Sequence, residues 1–132
     1  MSDAQQSPLL ALVDDLFVRG RIDAAAEATG VDVHYVATLQ DVREAARARP
    51  PRALLVGMAA TRRPWAELIR EVKADADLAS IYVLAFGPHL NLDLRARALE
   101  AGADRVLANS AFVRVLPTLL TTPTAPVPED DT

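Results

Sequence analysis

IYVLAFGPHLNLDLRARALEAGADRVLA, residues 81–108, reads as a strand, a helix and a second strand. Ile81–Phe86 is a short apolar run rich in residues that suit a pleated, buried surface. Asn91–Ala101 then places Leu94, Ala98 and Leu99 at helical spacing, with Asn91 as an N-cap and Gly102 just past the end. Asp104–Ala108 returns to strand chemistry. A strand, a helix and another strand in this order imply a crossover, and crossovers join parallel strands.

The same alternation runs outward in both directions. Further apolar runs occur at Pro8–Val13, Val31–Ala37 and Arg52–Met58, and further amphipathic segments at Leu16–Thr29, Leu39–Ala48, Pro64–Ala74 and Phe112–Leu120. Four of the five runs show little polar alternation, as strands covered on both faces do. In Val31–Ala37, Asp32 and His34 alternate with Val31, Val33 and Tyr35, which predicts an edge strand. Five strands alternating with five helices predict an α/β fold: a doubly wound, five-stranded parallel sheet of the flavodoxin-like (βα)5 type.

The chain has 132 residues, 51% of them hydrophobic and 24% charged, which suits one globular domain of about 100–150 residues. Residues 1–7 read as a disordered leader, 8–120 as the domain, and 121–132 (TTPTAPVPEDDT) as a disordered Pro-, Thr- and acid-rich tail. The formal charge of −4 comes from 14 basic and 18 acidic residues, and four of those acids, Asp3, Glu129, Asp130 and Asp131, lie in the two ends. The domain itself is neutral, which argues against nucleic acid as a partner. The absence of cysteine excludes disulfides and thiolate chemistry. No apolar run approaches the ~20 residues of a membrane span, and MSDAQQSP has no signal-peptide pattern; the expectation is a cytoplasmic protein without membrane contact.

In open α/β sheets, ligands lie beyond the carboxyl ends of the strands. Those ends are expected at Asp14-Asp15, Gly57-Met58, Ala85-Phe86-Gly87 and Asn109-Ser110. Two adjacent carboxylates at a strand end can hold Mg²⁺, although such an ion also wants a further anionic ligand. The competing role for one of them, an N-cap for the helix starting near Leu16, is favoured.

VDD at 13–15, the amphipathic helix leading into Val31–Ala37, and EAGADRVLA at 100–108 together resemble the receiver domain of bacterial response regulators. The resemblance covers Pro8 to Leu120. It implies an acceptor Asp at the end of the third strand, a Thr or Ser at the end of the fourth, and a Lys followed by Pro after the fifth. Those groups are, in turn, the nucleophile, a hydroxyl that bonds the phosphoryl oxygen, and an ammonium that neutralises its charge. The matching positions in this chain are Gly57, Ala85, Asn109 and Ser110, and the aromatic residue of the fifth strand matches Val106. Only the acidic pair is kept, so the resemblance is to an atypical, or pseudo-receiver, domain.

Arg62 and Arg63 are candidates for anion binding through their forked donors, with a solvated loop as the plainer role. His89, held by Gly87 and Pro88, is a candidate beside the strand ends, although a lone His without a partner is more often a surface or cap residue. Trp65 is either packing or an interface anchor. Arg43, Arg47, Arg49 and Arg52 form a basic stretch whose interspersed acids suit a solvated helix face. No nucleotide-binding loop, nucleophile elbow or metalloprotease motif occurs, so an enzyme has no positive support. Val113, Leu116, Leu119 and Leu120 make the last helix more apolar than so short an element is expected to hide, and mark it as a candidate interface.

The expected function is therefore that of a stand-alone receiver-like signalling or regulatory protein without catalytic residues. It would act through another protein, or as a homodimer, and not be phosphorylated at the usual position. The alternative is a small-ligand- or nucleotide-binding domain using Asp14, Asp15, Arg62, Arg63 and His89.

Overall fold

A computed structural model describes residues 7–58, 64–88 and 92–126. The elements follow in strict alternation: β1 (Leu9–Leu12), α1 (Leu16–Thr29), β2 (Val33–Tyr35), α2 (Leu39–Ala48), β3 (Ala53–Gly57), α3 (Trp65–Ala74), β4 (Val83–Gly87), α4 (Leu92–Ala101), β5 (Arg105–Ala108), α5 (Asn109–Arg114) and α6 (Leu116–Thr121). All neighbouring strands are parallel, in the order β2-β1-β3-β4-β5. This is the doubly wound sheet expected from the alternation, with the half-polar β2 at an edge.

The pleat sorts each strand's side chains to two cores. Leu10, Leu12, Leu54, Val56, Val83, Ala85 and Val106 face α2, α3 and α4, where they meet Val42, Leu68, Ile69, Val72 and Ala98. Leu9, Ala11, Leu55, Leu84, Phe86 and Leu107 face the other way, onto Val18 and Ile22 of α1 and Phe112, Leu116, Leu119 and Leu120 of α5 and α6. Every residue of β1, β3 and β4 is buried. A continuous apolar run in the sequence is the direct consequence of that two-sided cover.

Local signals fix the helix ends. Thr38 and Asp41 form a capping box at the start of α2, the Thr38 side chain accepting from Asp41 N and the Asp41 side chain accepting from Thr38 N. Gly30 closes α1 in the left-handed conformation at φ 75°. Trp65 is buried in the first turn of α3, with Arg97 of α4 stacked 5.0 Å from its ring centroid; its role is packing.

The carboxyl-terminal region departs from expectation. In place of one helix over Phe112–Leu120 there are two, broken at Val115, with Pro117 in the first turn of the second, where its missing N–H is harmless. The break turns α6 onto α1. Leu116, Leu119 and Leu120, expected as an exposed interface, are consequently 2%, 0% and 0% exposed and belong to the core. Of that set only Val113 stays at a surface, half-buried.

The tail expected from residue 121 is placed further than its composition suggests. Thr121 completes α6, and the Pro123 and Ala125 carbonyls accept hydrogen bonds from the Arg105 guanidinium. Arg52 ties the ends together, its guanidinium donating to the carbonyls of Ser7, Leu120 and Thr121. Residues 1–6 and 127–132 lie outside the described residues.

Two other arginines of the basic stretch form surface pairs. Arg43 reaches Asp75 at 2.8 Å and Arg49 reaches Asp32 at 3.0 Å. The Arg43 guanidinium foremost, and then the Asp77 N–H that donates to Asp75 Oδ1 at 2.8 Å, hold the Asp75 carboxyl below the usual carboxylate range.

Candidate functional site at the carboxyl ends of the strands

The chain leaves β1 toward β2 on one side and returns to β3 on the other, so the topological switch point lies between β1 and β3. Asp14 and Asp15 follow β1, Gly57 and Met58 end and follow β3, Gly87 ends β4, and Asn109 and Ser110 follow β5. The sheet thus gathers the expected strand-end residues at one edge.

Asp15 is the N-cap of α1. Its Oδ1 accepts from Phe17 N at 2.9 Å and from Val18 N at 3.3 Å, satisfying two amides that the helix cannot. Asp14 beside it is half-buried. A magnesium ion fits this arrangement poorly. One oxygen of Asp15 is engaged by the helix, Gly57 brings no carboxylate, and no group of three metal-binding side chains occurs among the described residues.

Within the expected end Ala85-Phe86-Gly87, the residue matched to the family's hydroxyl shifts from Ala85 to Gly87. Ala85 pairs with Val56 and Val106 in the middle of the sheet and is wholly buried, whereas β4 runs on to Gly87, paired with Ala108. Gly87, not Ala85, is the residue at the strand end. The apolar run in the sequence ends at Phe86, where Gly-Pro reads as a turn, and the ladder extends one residue further through Gly87.

What fills the strand ends is apolar. A Cβ on Gly57 would lie 3.4 Å from Phe86 Cζ and 3.6 Å from the Leu12 carbonyl oxygen, so the Phe86 ring covers the place where a side chain at 57 would emerge. Phe86 in turn stacks on Phe112, with centroids 3.9 Å apart and planes within 4°. A Cβ on Gly87 would come within 3.0 Å of Met58 Cε. Both positions are glycine; a Cβ at 57 would meet the Phe86 ring at ordinary contact distance, and one at 87 would press on Met58 Cε. No nucleophile, hydroxyl or ammonium stands at Gly57, Gly87 or Asn109.

Of the described site residues, Asp15, Asn109, Ser110 and Val113 line one groove. Asp15, Phe17, Val18 and Arg21 of the α1 side face Asn109, Ser110, Val113 and Arg114 of α5 across a cavity of about 570 Å³. Asp15 was expected near Asn109 and Ser110; the aromatic and cationic residues around them were not. Leu16 and Phe17 are 79% and 70% exposed, because the buried stripe of α1 is Val18, Ile22 and Ala25 and the first turn begins off it. That stripe was readable in the sequence, and with it the outward direction of Leu16 and Phe17. Arg62, Arg63 and His89 lie outside the described residues.

Comparison with known proteins agrees with this geometry at the level of the fold. No protein-family model and no curated protein matches the sequence. Solved structures do match: the phosphorylated cyanobacterial phytochrome response regulator RcpA superposes with a TM-score of 0.70 at 20% identity, covering 93% of this chain and 99% of that one. A response regulator in red light signalling of R. palustris gives 0.71 at 15% identity, with 92% and 98% covered. The receiver domain of a sensor histidine kinase from Pseudomonas aeruginosa, with a magnesium ion coordinated in its active site cleft, gives 0.68 at 21% identity, with 86% and 93% covered.

The protein therefore has the response-regulator receiver fold, over nearly the full length of both chains. No helix among the described residues is long and apolar enough to cross a membrane.

Proposed function

We propose that this chain is a receiver-fold signalling or regulatory module that works by protein–protein contact and does not accept phosphate at the end of β3. The observation that carries the reading is Gly57 at the end of β3, covered by the Phe86 ring. A phosphoryl acceptor needs a carboxylate there, and the receiver mechanism further needs a hydroxyl and an ammonium where this chain has Gly87 and Asn109. Loss of all three leaves a scaffold with its surfaces intact. Such a module has no catalytic residues and needs no Mg²⁺ for its action, since the ion's task in phosphoryl transfer is to neutralise charge on a group that is never bound.

Incubation of the full chain with acetyl phosphate and Mg²⁺, followed by intact-mass measurement, is the test. Unchanged mass is the expected result. A stoichiometric gain of one phosphoryl group overturns the proposal, wherever on the strand ends it maps.

A further inference from the structure

At the amino-terminal ends of the strands, away from the groove, two arginines hold the chain's carboxyl-terminal segment. Arg52, just before β3, donates to the carbonyls of Ser7, Leu120 and Thr121. Arg105, the first residue of β5, donates through Nη1 to the Pro123 and Ala125 carbonyls. Both are half-buried, and neither makes an ion pair among the described residues. Arg105 uses one nitrogen of three; its Nε and Nη2 donate to nothing among the described residues. A half-buried guanidinium whose acceptors are all neutral keeps its capacity for an anion, which it binds more strongly than a carbonyl.

The residue between the two carbonyls that Arg105 holds is Thr124. Its side chain is exposed, and its hydroxyl makes no hydrogen bond among the described residues. The neighbouring threonines are placed differently. The Thr121 hydroxyl donates to the Thr118 carbonyl at 3.0 Å, inside α6. Thr122 is the C-cap of α6, where a new anion would face the helix's last carbonyls. Thr124 lies beyond the helix. Its segment is lightly held: besides Arg105 there are the Ala125 N–H, which donates to the Thr122 carbonyl at 2.9 Å, and the burial of one methyl group, that of Ala125. A terminal turn with so few contacts opens locally, and so can be taken in extended form by an enzyme.

We infer that Thr124 is a phosphorylation site for a protein serine/threonine kinase, and that Arg105 receives the phosphoryl group and fastens residues 122–126 to the start of β5. In the transfer, Thr124 Oγ attacks the γ-phosphorus of a nucleoside triphosphate. The Oγ–P bond forms, the bond from that phosphorus to the bridging oxygen breaks, and the nucleoside diphosphate and the hydroxyl proton leave. The phosphate then accepts from the open Nε and Nη2 donors of Arg105, replacing neutral acceptors by a charged one. This goes beyond the proposed function, which concerns a carboxylate missing from the other end of the sheet.

The test has two arms. In the first, the full chain is purified from the cells that make it, across growth phases, and its carboxyl-terminal peptide is mapped by mass spectrometry. Phosphate on Thr124 is expected; a peptide free of phosphate throughout, or phosphate on Thr122 alone, overturns the inference. In the second, phosphothreonine is encoded at position 124 of the full chain, and hydrogen exchange of the Ala125 amide reads the opening of the segment. Exchange is expected to slow by about tenfold or more, the weight of a hydrogen bond to a charged group. The slowing should vanish in Arg105→Gln and persist in part in Arg105→Lys, which keeps the charge. Unchanged exchange, or slowing that survives Arg105→Gln, overturns the inference. Acetyl phosphate modifies carboxylates and not threonine hydroxyls, so a phosphoryl gain from it strikes the proposed function alone, and an unmodified Thr124 strikes this inference alone.

Discussion

The ring of Phe86, at the end of β4, lies parallel to the ring of Phe112 in α5, 3.9 Å between centroids. This pair joins the sheet to the carboxyl-terminal helices and also closes the space above Gly57. The same Phe86 ring therefore packs in the core and lies within contact distance of the place a side chain at 57 would begin. Phe112 is wholly buried, so Phe112→Ala should cost about 3–5 kcal/mol, read from urea unfolding with an unchanged m-value. A cost near zero would mean that the stack bears no weight in the core.

Replacing Gly57 tests the closure itself. Gly57→Ala should change stability by less than about 1 kcal/mol, because its Cβ makes ordinary contact with Phe86 and the Leu12 carbonyl. Gly57→Asp should destabilise clearly, since a carboxylate must pass a phenyl ring in a buried strand end. The penalty should shrink in the Phe86→Ala background, giving an interaction energy of about 0.5–3 kcal/mol in a double-mutant cycle. Strict additivity would show that the ring does not obstruct position 57.

Two glycines give opposite expectations for the same substitution. Gly102 has φ 118°, and a Cβ there would sit 2.8 Å from Lys73 Cγ. Lys73 is held on its far side by hydrogen bonds to the Ala79 and Ile81 carbonyls and by Asp104 at 2.8 Å. Gly102→Ala should therefore cost more than about 1 kcal/mol. Gly20 lies inside α1 with open space around it, and Gly20→Ala should add about 0.5–1 kcal/mol. Thermal melts of the two variants, shifted to opposite sides of the parent, are the expected result.

The sequence disclosed most of the fold and less of the site, for one physical reason. Strands covered on both faces and helices with caps leave local marks: the predicted Leu16–Thr29 and Leu39–Ala48 helices coincide with the observed ones. Contacts across the sheet leave none. That Phe86 meets Phe112 depends on the pleat of β4 and on the break at Val115, and no spacing rule joins residues from a strand and a helix packed by tertiary structure. The same break explains Leu116, Leu119 and Leu120, which looked too apolar for one short helix and are hidden by two. At β4 the turn signal Gly-Pro overlaps the last rung of the ladder, so the apolar run ends one residue short of the strand.

The packing of α1 on β2 gives the last expectation, in alkali. The Tyr35 hydroxyl donates to Asp23 Oδ1 at 2.7 Å, and Arg19 lies 4.0 Å over the ring. Burial first, and then the hydrogen bond to the Asp23 carboxylate, raise the Tyr35 pKa well above its ordinary value of 10.0, against a smaller lowering by Arg19. The neutral phenol is thus favoured in the folded state. Its contribution to stability is complete below the ordinary tyrosine pKa and is lost as pH rises from there toward the folded value. Ultraviolet titration of the Tyr82→Phe variant, which leaves Tyr35 as the sole tyrosine, should show tyrosinate forming only above the range of free tyrosine. Asp23→Asn keeps an acceptor but removes the charge, and should move that titration downward. A curve identical to that of free tyrosine would show that the Tyr35–Asp23 bond does not persist in solution.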